Sequence, residues 1–123
     1  MKLAESLFIK NIVFDLDERV RYFGFLDNRG GMVVSELRNR ETSHQPEEQL
    51  VRDLTFFKGA MSSWALYFGH VNYSVVAHDS FKIIMIPVES GLVIVTSEAS
   101  LPPQCVEDIA ARVKEEISAL SKL

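Results

Sequence analysis

The chain has 123 residues, 47% of them hydrophobic and 24% charged, with a net charge of −4 and a single cysteine. That length allows burial of roughly two-thirds of the surface an unfolded chain exposes, so an ordered core is expected and a disordered tail is excluded. One cysteine excludes a disulfide framework and fits a reducing, cytoplasmic interior, while the acidic balance argues against nucleic acid as a partner.

Leu3 to Leu16 is apolar at Leu3, Leu7, Phe8, Ile12 and Val13, with Ile9 and Phe14 widening the stripe, which predicts a first helix buried on more than one side. Glu5 and Lys10 break any apolar core of a signal peptide there. Val20 to Leu26 is rich in aromatic and β-branched residues. Asp27-Asn28-Arg29-Gly30-Gly31 reads as a turn, and Met32 to Arg38 as a returning strand, making a hairpin. Asn39 to Gln45 is polar and without period, so it reads as a loop. Pro46, Glu47 and Glu48 then have the signature of a helix start. Leu50, Leu54, Phe57, Met61, Trp64 and Phe68 continue it as one stripe, and Gly69 is its expected stop.

Val71 to His78 alternates, with Val71, Tyr73, Val75 and Ala77 expected on one face of a strand. Phe81 to Val88 and Leu92 to Ser97 follow, separated by Glu89-Ser90-Gly91. Both contain uninterrupted apolar runs, which in a strand call for helices on each face of the sheet. Those runs are far shorter than the about 20 residues a bilayer span needs, so no membrane insertion is expected. After Pro102 and Pro103, the residues Val106, Ile109, Ala110, Val113, Ile117 and Leu120 form the stripe of a last helix. The order is α-β-β-α-β-β-β-α, an α/β (α+β) chain read as one three-layer α-β-α sandwich domain spanning residues 1–123.

Chemistry is hard to find in these residues. No phosphate-binding glycine pattern is present, so no nucleotide cofactor is expected. His44, His70 and His78 are not spaced as metal ligands. His78-Asp79-Ser80 holds triad residue types, but sequence neighbours cannot face one another as a triad, and the run reads as a turn. Cys105, in the first turn of the last helix, is either a packing residue or a thiol activated by the helix dipole. Asp15, Asp17, Glu18, Arg19 and Arg21 are either an acid/base or Mg²⁺ cluster or a solvated connection with local ion pairs. Arg38, Arg40 and Arg52 flank the polar loop and could meet an acidic partner, although Glu36, Glu41, Glu47 and Glu48 cancel any basic patch. Gly59 lies inside the long helix, where close approach of a strand or of a partner helix would explain it. No catalytic, metal or cofactor residue is assigned.

The element order resembles the Roadblock/dynein light chain family, related to the longin and profilin folds. The local likeness lies in Val20 to Leu37, where an apolar strand ends in Asp27, passes Gly30-Gly31 and resumes as Met32-Val33-Val34-Ser35. Leu92-Val93-Ile94-Val95 leading into an amphipathic last helix is similar too. The layout also resembles that of small archaeal proteins, which implies no function. The family resemblance implies a five-stranded antiparallel sheet ordered 2-1-5-4-3, with the first and last helices on one face and the long helix on the other. It further implies a non-catalytic homodimer joined through third strands and long helices, acting as a scaffold or regulator of a small GTPase. Phe56, Trp64, Tyr67, Val71, Tyr73, Val75 and Ala77 would form the interface. For the three helix aromatics, core burial is the alternative. The competing functions are a small-ligand sensor with a pocket lined by Tyr22, Phe23, Phe25 and Trp64, and an enzyme built on Cys105 or on Asp15 and Asp17.

Overall fold

A computed structural model describes residues 1–38 and 48–122. The elements run α1 (Leu3–Leu16), β1 (Val20–Asp27), β2 (Met32–Leu37), α2 (Glu48–Phe68), β3 (Ser74–Ala77), β4 (Phe81–Val88), β5 (Gly91–Glu98) and α3 (Pro103–Leu120). The expected polar loop Asn39 to Gln45 with Arg40, Glu41 and His44, and the helix start at Pro46 and Glu47, lie outside the described residues.

The five strands form one antiparallel sheet in the order β2-β1-β5-β4-β3. Alternation along the strands sends successive side chains to opposite faces. Phe23, Phe25, Ile84, Ile86, Val93 and Val95 meet α1 and α3 on one face. Leu26, Met85, Leu92 and Ile94 meet Leu54 and Met61 of α2 on the other. The continuous apolar runs are therefore buried on both sides, as their composition demands.

Local chemistry sets the turns. Asp27 closes the β1–β2 hairpin: its Oδ1 accepts the N–H groups of Arg29 at 2.9 Å and Gly31 at 3.0 Å, and Gly30 takes the positive φ the turn requires. In the β4–β5 turn a Cβ on Gly91 would lie 2.0 Å from the carbonyl oxygen of Leu26, so only glycine fits there. Gly69 ends α2 with φ +84°, donating its N–H to the Ala65 carbonyl at 3.1 Å.

Two details depart from the periodicity. In α1 the buried line is Ser6, Ile9 and Val13, while Leu3 and Phe8 turn outward. The Ser6 hydroxyl is tolerated in the core because it donates to the Lys2 carbonyl at 2.9 Å. The expected third strand is also shortened to Ser74–Ala77. Its ladder begins with Ser74 opposite Met85, and continuing that register would set Asn72 opposite Pro87. Proline has no N–H to offer an adjoining strand, so the ladder stops before it.

Candidate functional site

The strongest candidate is a surface made by α2 and the neighbouring sheet edge. Along α2 the residues Leu54 and Met61 are buried and Val51 and Phe57 half-buried against the sheet. Phe56, Gly59, Ser63 and Tyr67 fall at i, i+3, i+7 and i+11, one face of a helix pointing away from that core. Phe56 is 80% and Tyr67 79% exposed. Trp64, flanking this line, is 49% exposed. The core-burial alternative for these three aromatics does not hold within the chain. The six-residue stripe from Leu50 to Phe68 is corrected likewise: its middle packs, while Leu50, Trp64 and Phe68 are exposed. The buried and half-buried positions that pack on the sheet, Val51 to Met61, lie in the middle of the 21-residue helix. A Cβ on Gly59 would meet nothing within 4 Å, so among the described residues no strand explains this glycine.

The strand residues divide. β3 is the last strand in the sheet order and, among the described residues, is hydrogen-bonded only to β4. Val75 and Ala77 are exposed, whereas Ser74 and Val76 point toward α2; the Ser74 hydroxyl lies 3.2 Å from Met61 Sδ. Tyr73 precedes the strand, packs on the α1/α3 side, and donates to Glu107 at 3.3 Å. Val71 packs on the opposite side, toward α2. The expectation that Val71, Tyr73, Val75 and Ala77 share one face is thus corrected for Val71, because regular extension starts only at Ser74.

The other candidate groups have local work. Asp17 accepts a forked ion pair from Arg19, at 2.9 Å from Nε and 2.8 Å from Nη2, together with the Arg19 backbone N–H at 2.8 Å. These bonds hold its carboxyl down from the ordinary 3.8 to about 2. Asp15 is exposed and takes no part. Arg21 pairs with Glu98 across the β1–β5 edge. Arg38 is not offered to a partner: its guanidinium donates to the carbonyls of Val20 at 2.5 Å, Phe14 at 2.7 Å and Asp17 at 2.8 Å, and covers the Phe14 ring. It thereby satisfies orphan carbonyls at the C-terminus of α1. Cys105 is half-buried against the α1/α3 core. At the β3–β4 turn His78 donates its backbone N–H to the Phe81 carbonyl at 2.8 Å and stacks on the Phe81 ring. Among the described residues no three His, Cys, Asp or Glu side chains gather as a metal-binding group, and no helix is long and apolar enough to cross a membrane.

The expected aromatic pocket is not built. Phe23 and Phe25 are fully buried on the α1/α3 side, Tyr22 packs on the α2 side, and Trp64 is half-exposed. Tyr22 lies over Gly24, where an added Cβ would stand 2.6 Å from its hydroxyl, and reaches Ser35 Oγ at 2.7 Å. Burial raises its phenol pKa, with the Ser35 bond opposing.

No family model and no curated protein sequence matches the chain. Solved structures do. MglB of Myxococcus xanthus superposes with a TM-score of 0.77 at 11% identity, covering 98% of this chain and 90% of that one. A structure described as MglB with a tetrameric arrangement gives 0.72 at 14% identity, covering 97% and 91%. The Roadblock/LC7 domain from Streptomyces avermitilis gives 0.55 at 14% identity, covering 89% and 93%. At such identities the likeness is one of fold, and the fold is Roadblock-like.

Proposed function

Taking the Roadblock-like fold as premise, we propose that this chain is a non-catalytic, cytoplasmic protein-interaction module, a single-domain homodimer that serves as a scaffold or regulator for a small GTPase. The observation that carries the reading is the outward line Phe56, Gly59, Ser63 and Tyr67 on α2, continuous with the unpaired edge of β3. Large aromatics bracketing small residues suit close packing of a second helix, and exposed apolar patches of this kind mark interaction sites. β3 carries neither Pro nor Lys, the residues that usually blunt a free edge. In a two-fold dimer, Phe56, Trp64 and Tyr67 would pack between α2 helices. Val75 and Ala77 would lie along the joined third strands, with Val71 and Tyr73 in the segment that leads into them. The tetrameric arrangement described for one MglB structure supports self-association in this reading.

Light scattering on the full chain at tens of micromolar tests the assembly: twice the 13.9 kDa chain mass is expected, and a monomer at that concentration would sink the reading. The double substitution Phe56→Glu with Tyr67→Glu is expected to give a monomer with unchanged circular dichroism. For the GTPase, the immobilised chain is expected to retain a small GTPase from its own cell in one nucleotide state more than the other. Equal retention with GDP and with a GTP analogue would remove that part.

A further inference from the structure

The shortness of β3 leaves a gap at the sheet edge beside Pro87 and Val88. Around it lies a half-open cavity of about 450 Å³, bordered by Lys58, Met61, Ser62 and Ala65 from α2, His70 and Val71 after the helix, Pro87 to Glu89 from β4 and its turn, and Lys114 from α3. The size falls in the ordinary range for small-ligand sites, about 300–1,000 Å³. Its floor is apolar, formed by Met61, Ala65, Val71, Pro87 and Val88.

Its charges are not balanced within the chain. The half-buried Lys114 ammonium has one hydrogen bond, to the neutral Asn72 Oδ1 at 3.2 Å, and no carboxylate partner among the described residues. Half-buried Lys58 has no hydrogen bond or ion pair among the described residues, and His70 at the rim is equally without one. One carboxylate, Glu89, borders the cavity against these two lysines. Burial without a counter-charge penalises an ammonium, and it lowers the Lys114 pKa. A bound anion would relieve this, with charge-assisted bonds stronger than the one to Asn72.

We infer that this cavity is a binding site for a small amphiphilic carboxylate, its apolar body on Met61, Val71 and Val88 and its anionic head between Lys58 and Lys114. The inference does not rest on the dimer or on a GTPase. The test uses octanoate and 1-octanol as probes, which share an apolar chain and differ in the head. Calorimetric titration of the full chain at low salt is expected to give saturable octanoate binding and at least about tenfold weaker octanol binding, the scale of one charge-assisted hydrogen bond. Lys114→Met is expected to lower octanoate affinity by about tenfold, and Lys58→Gln, which keeps a polar hydrogen-bonding head, by a smaller factor. Circular dichroism verifies each fold, and Lys58→Gln carries the test if Lys114→Met does not fold. Equal affinity for the two probes, no saturable octanoate binding, or wild-type affinity in the folded lysine variants would overturn the assignment.

Discussion

The two faces of the sheet are built from similar strand residues yet are finished differently. On the α1/α3 face, fifteen described residues are buried in one cluster, and two helices cover the strands. On the α2 face only six are buried, and a single helix with large aromatics on its far side does the covering. The first face is complete within one chain. The second has apolar surface on both sides of one helix, which a self-sufficient layer would not retain. The contrast teaches that burial within the chain is concentrated on one face of this sheet, while the proposed recognition surface lies on the other.

Four substitutions test that separation, beginning with the largest effect. Phe23→Ala, in the closed face, is expected to cost about 3–5 kcal/mol in denaturant unfolding, through lost transfer energy and an unfilled cavity. Gly91→Ala is expected to cost at least the roughly 1–3 kcal/mol of an overpacked site, since the new methyl meets the Leu26 carbonyl. Arg38→Met leaves the carbonyls of Phe14 and Asp17 at the α1 end and of Val20 in β1 without this donor and is expected to cost about 1–3 kcal/mol. Phe56→Ala should change unfolding by less than about 0.5 kcal/mol in dilute solution, the range for a surface site. At high concentration it should lower apparent stability, because a dimer stabilises its folded chains by mass action. A loss from Phe56→Ala as large as from Phe23→Ala, independent of concentration, would erase the distinction between the faces.

A fifth substitution tests an electrostatic contribution on the closed side of the molecule. Asp17 has its folded pKa depressed to about 2 from 3.8, so its contribution is fully present above the unfolded value and disappears as pH falls through the folded one. The stability difference between the wild-type chain and Asp17→Asn should stay constant from neutral pH down to about 5, then shrink toward zero near pH 2. A difference that grows on acidification would contradict the ion pair with Arg19.

Much of this architecture is legible in the sequence, for reasons that are local. The stripe of Val106, Ile109, Ala110 and Val113 and the runs in β4 and β5 state their own burial, and the Asp27–Gly31 turn states its own geometry. What is not legible depends on residues distant in the chain. β3 is cut short by Pro87, which acts across the sheet. Periodicity identifies an apolar side of α2 but not how far the sheet extends beneath it, so Trp64 and Phe68 look like core. Arg38 resembles a free cation until the end of α1 and the start of β1 place three carbonyls around it. The aromatics Phe56 and Tyr67, off the main stripe, are the part of the proposed interface that sequence alone marks. The cavity draws on four separate segments, and no spacing announces it.

The four-residue span of β3 has a thermal consequence. A ladder that short supplies few backbone hydrogen bonds to a second copy, so most of the association energy of such a dimer must come from apolar side chains on α2. Apolar association carries a negative heat-capacity change and weakens on cooling. The dimer should therefore dissociate more readily near 5 °C than at 25 °C, giving cold-sensitive assembly around cores that remain folded.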